Sequence, residues 1–130
     1  MHNQKIMLIF VLYKQTLEIM SAKRLAVLEK SCQREFDANE TMQWVNHNML
    51  WRMTWGARNF TAFDKKALFF NVSGNNHKGI VLITLGWDDT YTITLLSTQW
   101  NVKQVIENVY CDVLAETIDI KVERIAEYNK

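Results

Sequence analysis

The side chains best suited to chemistry in this sequence are three histidines and two cysteines, and their spacing argues against a catalytic or metal centre. His2, His47 and His77 show neither the HxxxH nor the His/Cys pattern that ligates zinc. Cys32 and Cys111 lie far apart and form no CxxC pair, so we expect small buried hydrophobic side chains rather than nucleophiles. The sequence therefore predicts no metal, no cofactor and no enzymatic activity.

Asp88 and Asp89 are adjacent acidic residues, and their position is compatible with either a cation site or a hairpin turn. Together with a helix acid such as Asp112, they would supply the oxygen ligands that Mg²⁺ prefers. The surrounding Gly-Trp-Asp-Asp sequence is also typical of a hairpin turn, because aspartate side chains form hydrogen bonds with turn backbone. We expect a turn at 86–89 rather than a cation site.

The polar loop 74–79 offers backbone amides, His77 and Lys78 as ligands for a phosphate group. A phosphate-binding loop normally opens a helix, whereas the apolar run 80–85 that follows this loop predicts a strand. The pattern therefore favours a connection between two strands.

Charge is distributed unevenly, although the net charge is only +1. Residues 41–79 contain five bases and one acid, and residues 80–130 contain four bases and eight acids, which predicts a bipolar molecule. The basic stretch is rich in tryptophan and phenylalanine, as are surfaces that stack bases or bind protein hot spots. The candidate partner- or nucleic-acid-binding residues are Arg52, Arg58, Lys65, Lys66, Lys78, Trp51 and Trp55. The alternative is that the tryptophans of 44–55 belong to the core.

Hydrophobic periodicity predicts an α+β fold. Helical spacing indicates one helix over 21–36 with Ser21 as N-cap, a second that begins at Asn39 and ends near 47–48, and a long C-terminal helix over about 109–128. Strand patterns fall at 49–54, 67–72, 80–85, 90–97 and 102–107. We expect one domain over 1–130: two N-terminal helices, an antiparallel β-meander of four to five strands, and the long helix packed on the sheet.

The N-terminal apolar run 6–13 is too short to span a membrane, and Lys14 interrupts any signal-peptide pattern. We expect a buried helix or strand there. Alternatively, translation begins at Met20 instead of Met1, and 1–19 is a loosely integrated extension. The two distant cysteines and the ordinary composition predict a cytoplasmic protein with no membrane partner.

Four short motifs follow one another between about 48 and 123: Met-Thr at 53–54 with Gly-Ala-Arg-Asn-Phe at 56–60, Val-Leu-Ile-Thr-Leu at 81–85, Asp-Thr-Tyr at 89–91, and Val-Tyr-Cys-Asp-Val-Leu at 109–114. Their order resembles a family of small uncharacterised phage, prophage and mobile-element proteins with the pattern MTGAKNF, ITL, D-T/L-Y and VYADxL. Trp55 is an insertion in the first motif, and Cys111 replaces a small residue in the last. The resemblance implies an accessory protein of a bacterial host's mobile elements and no particular chemistry.

Two functional hypotheses follow. In the first, the protein is a non-enzymatic module that binds a host protein or nucleoprotein complex. One form of this hypothesis is an inhibitor of a host defence nuclease, of the anti-CRISPR or anti-restriction type. In the second, it binds nucleic acid directly through the basic and aromatic candidates. The sequence leaves the identity of the partner and the oligomeric state open.

Overall fold

Five antiparallel strands form the centre of the computed structural model, which describes residues 22–125. The strands are β1 (Arg58–Phe63), β2 (Ala67–Ser73), β3 (Lys78–Leu85), β4 (Tyr91–Leu96) and β5 (Val102–Val109). Each strand pairs with the next along the chain. The helices are α1 (22–31), α2 (Ala38–Val45), α3 (Met49–Thr54) and α4 (Leu114–Val122), the last preceded by the 3₁₀ turn Cys111–Val113. None of these described helices is long and apolar enough to cross a membrane.

The predicted α+β class and antiparallel meander are confirmed, but the segment Met49–Thr54 is a helix and not a strand. Asn48 begins this helix, because its side chain accepts a hydrogen bond from the Trp51 amide at 3.2 Å. The dense aromatic residues that suggested a strand instead place Trp51 and Trp55 one helical turn apart, facing the core. Three helices therefore precede the sheet instead of the predicted two, and β1 is its first strand.

The predicted helix ends also require correction. The helix α1 stops at 31 rather than 36, and the cap of α2 is Asp37 rather than Asn39. The long C-terminal helix over 109–128 is wrong, because Val109 still pairs with Tyr91 in the sheet and α4 ends at Val122. Four features of the sequence lie outside the described residues: the Ser21 cap, the run 6–13, the alternative start at Met20 with its extension 1–19, and the last five positions 126–130.

Both faces of the central strands are covered. On one face, alternate residues such as Phe70 and Ile83 pack beneath α2, α3 and α4. On the other face, Phe69 and Leu82 pack with Leu28 of α1. Because side chains alternate across a strand, a strand buried on both faces needs an almost continuous apolar run, and β3 has one.

The loop between β2 and β3 closes the C-terminal turn of α4. The Asn76 backbone N–H donates to the Val122 carbonyl at 2.8 Å, and its side-chain amide donates to the Arg124 carbonyl at 2.7 Å. The Asn75 backbone N–H donates to the Glu123 carboxylate at 2.9 Å. These donors satisfy groups that a helix end leaves unpaired, and the close approach depends on Gly74.

We expect Gly74→Ala to destabilise the protein. A Cβ atom at this position would lie 2.2 Å from the Val122 carbonyl oxygen, so the loop and α4 must separate. Overpacking of this kind costs about 1–3 kcal/mol in free energy of unfolding. Urea unfolding should show a lower midpoint, while Thr98→Ala in an exposed turn serves as control. A midpoint equal to that of the wild type would contradict the close contact.

Candidate functional site

The strands run between two ends of the molecule that differ in charge. At the end where β1, β3 and β5 begin, called here the basic end, the Lys23 ammonium contacts the Asn101 side chain and the Arg58 guanidinium contacts Ser73. The cations of this end are Lys23, Arg24, Arg52, Arg58, Lys78, Lys103, Lys121 and Arg124. Two of the acids near them are engaged internally, since Asp119 is buried and Glu123 binds the Asn75 amides, whereas Glu116 is exposed and pairs with Arg124 at 3.6 Å.

The opposite end, called here the acidic end, holds the β1–β2 and β3–β4 turns and the first turn of α2. Its acids are Glu35, Asp37, Glu40, Asp64, Asp88, Asp89, Glu107 and Asp112. The cations among the described residues at this end are Lys30, Arg34, Lys65 and Lys66. Positive and negative charges therefore separate to the two ends of the strands. The predicted separation between residues 41–79 and residues 80–130 does not describe this arrangement.

This geometry divides the predicted basic candidates. Arg52, Arg58 and Lys78 lie at the basic end, whereas Lys65 and Lys66 follow β1 at the acidic end. The six residues of β1 separate the two groups by roughly 20 Å at the usual rise per residue. The five cations do not form one continuous basic surface.

Trp55 is fully buried, with 0% of its surface exposed, so the prediction that it stacks on a partner is wrong. Its indole Nε1–H donates to the Asp119 carboxylate at 2.9 Å. The other oxygen of that carboxylate accepts from Arg124 Nε at 3.0 Å. Trp55 thus holds α3 against α4.

Trp51 and Arg52 are half-buried, and each is engaged in a cation–π contact. The Arg124 guanidinium lies 5.1 Å from the centre of the Trp51 ring. The Arg52 guanidinium lies 4.9 Å from the Phe60 ring, which in turn stacks on Phe70 at 4.7 Å. Both side chains keep part of their surface in solvent, but packing fixes their positions.

The outer face of α3 was missed by the sequence reasoning. Met49, Leu50 and Met53 are 48%, 77% and 72% exposed. They occupy one side of the helix, because positions i, i+1 and i+4 lie together while Trp51 and Trp55 point inward. This spacing was readable in the sequence once the segment was taken as helical.

Cations without carboxylate partners border this apolar face. The Arg58 guanidinium donates to the Gly56 carbonyl and the Ser73 hydroxyl, both at 3.0 Å and both neutral. Among residues 22–125, ion pairs form at Arg34 and Arg124, and none forms at Arg52 or Arg58. Met49, Leu50 and Met53 together with Arg52 and Arg58 are called here the α3 surface.

The loop 74–79 does not provide a phosphate cradle, because its amides are already used. The Gly74 N–H donates to the His77 carbonyl at 3.0 Å, and the next two amides bind α4 as described above. His77 itself is buried, and its Nε2 lies 3.1 Å from the Ile80 carbonyl oxygen. The loop connects two strands, as predicted, and also serves as a helix cap.

The acidic pair forms the predicted turn. The Asp88 carboxylate accepts hydrogen bonds from the Thr90 hydroxyl and backbone N–H, and these bonds lower the pKa of Asp88. Asp89 instead pairs with Arg34. Within the described part of the chain, no three His, Cys, Asp or Glu side chains are placed to hold a metal ion. Cys32 and Cys111 are half-buried free thiols.

Comparison of the chain with protein-family models, curated proteins and solved structures finds no match. The candidate site therefore follows from geometry: an apolar helix face bordered by cations, projecting from the basic end. A projecting surface of this kind suits contact with another macromolecule.

We expect Asp119→Ala to destabilise the protein strongly. The substitution leaves the buried Trp55 N–H without its acceptor and removes the partner of Arg124, a combined cost of about 2–4 kcal/mol. Asp119→Asn keeps an acceptor oxygen for Trp55 and should cost less. Glu116→Gln is the control, because Glu116 is an exposed partner of Arg124 at 3.6 Å. Equal urea midpoints for the three variants would contradict this account.

His77 should make stability depend on pH. Burial lowers the pKa of His77 below its ordinary value of 6.5, the charge of Lys103 lowers it further, and the Ile80 carbonyl opposes both. The unfolded chain therefore binds the proton first, so stability is complete above pH 6.5 and falls as the pH drops below it.

The corresponding measurement is the urea midpoint between pH 7.5 and pH 5.5. We expect His77→Gln to show a flatter profile than the wild type, whereas exposed His47→Gln should leave the profile unchanged. A wild-type slope that survives in His77→Gln would assign the pH dependence to other groups.

Proposed function

We propose that the protein is a non-enzymatic binding module that attaches to another macromolecule through the α3 surface. The observation that carries the proposal is the exposure of Leu50 and Met53 on a helix whose two tryptophans are fixed in the core. Because the hydrogen bond to Asp119 fixes Trp55 in the core, it also fixes which side of α3 faces the solvent.

The energetics of burial support this proposal. Transfer of a fully exposed Leu or Met side chain out of water contributes about 1.5–3 kcal/mol. Leu50 and Met53, with half-exposed Met49 beside them, form the apolar centre of a binding hot spot, and the unbranched methionines adapt to the shape of a partner. Arg52 and Arg58 at the margin favour a partner with acidic groups around an apolar contact.

The family resemblance directs the proposal to a bacterial host. We infer that the partner is a host protein or nucleoprotein complex, and the specific hypothesis is a defence nuclease that the protein inhibits.

Direct binding of nucleic acid is the second candidate. It is supported by Arg58, Lys78 and Lys103, which begin or lie near the start of three strands at the basic end. Trp51 is the remaining stacking candidate, since Trp55 is buried. Lys65 and Lys66 no longer belong to this surface.

We expect the double substitution Leu50→Ser/Met53→Ser to weaken partner binding by about 30-fold or more, because two apolar anchors of a hot spot are removed. Arg58→Glu should weaken it further through charge reversal. The partner would be captured from a host lysate, purified, and titrated against each variant by calorimetry. Thermal unfolding would establish that the variants remain folded.

Matched controls lie elsewhere on the molecule. Val102→Ser/Val105→Ser makes the same chemical change at exposed positions of β5, and Lys65→Glu reverses a charge at the acidic end. Equal losses in these controls and in the α3 variants would reject the α3 surface. Gel shifts whose midpoint moves steeply with salt, and which are lost in Arg58→Glu/Lys78→Glu, would favour the second candidate instead.

A further inference from the structure

A pocket of about 320 Å³ opens at the acidic end, whereas the α3 surface lies at the basic end. The segment that precedes α2, the first turns of α2 and the β3–β4 connection form its walls. Three aromatic side chains contribute to these walls: Phe36, Trp44 and Tyr91. The volume is at the lower limit for small-ligand sites and suits a compact group.

Packing fixes the rings around this pocket. Phe36 and Tyr91 meet edge to face, with centroids 6.3 Å apart and planes at 85°, and little of the Tyr91 ring reaches the pocket surface because this residue is only 5% exposed. The Tyr91 hydroxyl is 2.9 Å from the Thr41 hydroxyl in a buried hydrogen bond. The Phe36 backbone N–H donates to the Lys65 carbonyl at 2.8 Å. Half-buried Trp44 supplies a third ring.

The charges around the pocket favour a cation. Arg34 and Asp89 line the pocket but form an ion pair with each other. Asp37 and Glu40 also line it, and neither forms an ion pair within residues 22–125. The Asp37 carboxylate caps α2 by accepting the Asn39 backbone N–H, and Glu40 lies in the first turn of the same helix. The charge that these two side chains add beside the three aromatic rings is negative.

The pKa of Tyr91 is consistent with a negative potential in the pocket. Burial raises the pKa of the Tyr91 hydroxyl, the Thr41 hydrogen bond opposes the increase, and the charge of Glu40 raises it further. Glu40 and Tyr91 line the same pocket, and the negative charge of Glu40 acts on the Tyr91 hydroxyl.

We propose that this pocket binds an alkylated ammonium group. The negative faces of aromatic rings attract a cation, and the methyl groups of such a cation make apolar contact with the same rings. Asp37 and Glu40 add long-range attraction at the rim. The group belongs either to a free quaternary ammonium compound or to a methylated lysine side chain of a protein, which share this chemistry. The proposal does not depend on the α3 surface.

The test is a titration of the full-length ¹⁵N-labelled protein with tetramethylammonium chloride. We expect saturable shifts at the Trp44 indole N–H and at the backbone amides of Phe36 and Tyr91. The neutral isostere tert-butanol and unmethylated ammonium chloride should give no saturable shift, since one lacks the charge and the other the methyl groups. Shifts that rise linearly without saturation, or equal shifts with tert-butanol, would overturn the proposal.

Substitutions connect the binding to the pocket. Trp44→Ala should weaken it about tenfold, the effect of one desolvated cation–π contact. Exposed Glu40→Gln should weaken it about two- to fivefold without disturbing the fold, whereas Glu29→Gln on α1 should leave it unchanged. Unchanged affinity in Glu40→Gln and in a folded Trp44→Ala would reject the site.

The source of the group is decided by a second titration, with choline and with N-acetyl-trimethyllysine amide. Tighter binding of the lysine derivative assigns the site to a protein side chain, and tighter binding of choline assigns it to a free cation. Either outcome supports the pocket chemistry, and failure of both ligands to saturate contradicts it.

Discussion

The hydrogen bond between the Trp55 indole and the Asp119 carboxylate determines how the helical layer is arranged. It joins the end of α3 to α4 inside the core, where a lost partner is costly. Arg124 extends the contact, since it binds the same carboxylate and covers Trp51. With two tryptophans committed to the interior, a helix of only six residues must present its remaining apolar side chains to solvent. The exposed face of α3 is therefore a consequence of what holds α3 in place.

The covered sheet limits where function is located. The central strands bury both faces beneath helices, so most of their side chains have structural roles. The turns and helix ends at the two ends of the strands carry most of the charge. The α3 surface and the aromatic pocket lie at opposite ends and differ in charge, which allows one chain to contact two chemically different groups.

Local patterns predicted much of this fold. The continuous apolar run of β3 and the turn that follows it are short-range features, and the structure confirms them. The alternation of apolar residues with threonine in β4 predicted one solvent-exposed face, which is wrong because Thr94 is buried as well as Ile93 and Leu95. The first strand was misplaced because methionine, tryptophan and threonine fit either a strand or a short helix, and the Asn48 cap decided the outcome. The C-terminal helix was overestimated because its predicted start at 109 is the last residue of β5 and because α4 ends at Val122, before the predicted apolar stripe does.

The candidate sites were harder to predict. The bipolar charge distribution was predicted by counting charges along the sequence. In an antiparallel meander the chain reverses direction at every turn, so residues that are close in sequence can lie at opposite ends of the strands. Lys65 and Lys66 thereby separate from Arg58, although they lie close to it in sequence. The pocket joins Phe36, Trp44 and Tyr91, and contacts across such sequence distances follow only from the tertiary structure.

The cap that Asn75 and Asn76 place on α4 links two elements that lie more than forty residues apart, and it makes the end of the helix depend on the loop. A nine-residue helix is marginal by itself in water, so its last turn gains its partners only when the β2–β3 connection already has its native shape. That connection joins neighbouring strands, and its closure entropy is small. The hairpin therefore supports the end of α4, and we expect a loosened loop to fray the helix before it opens the sheet.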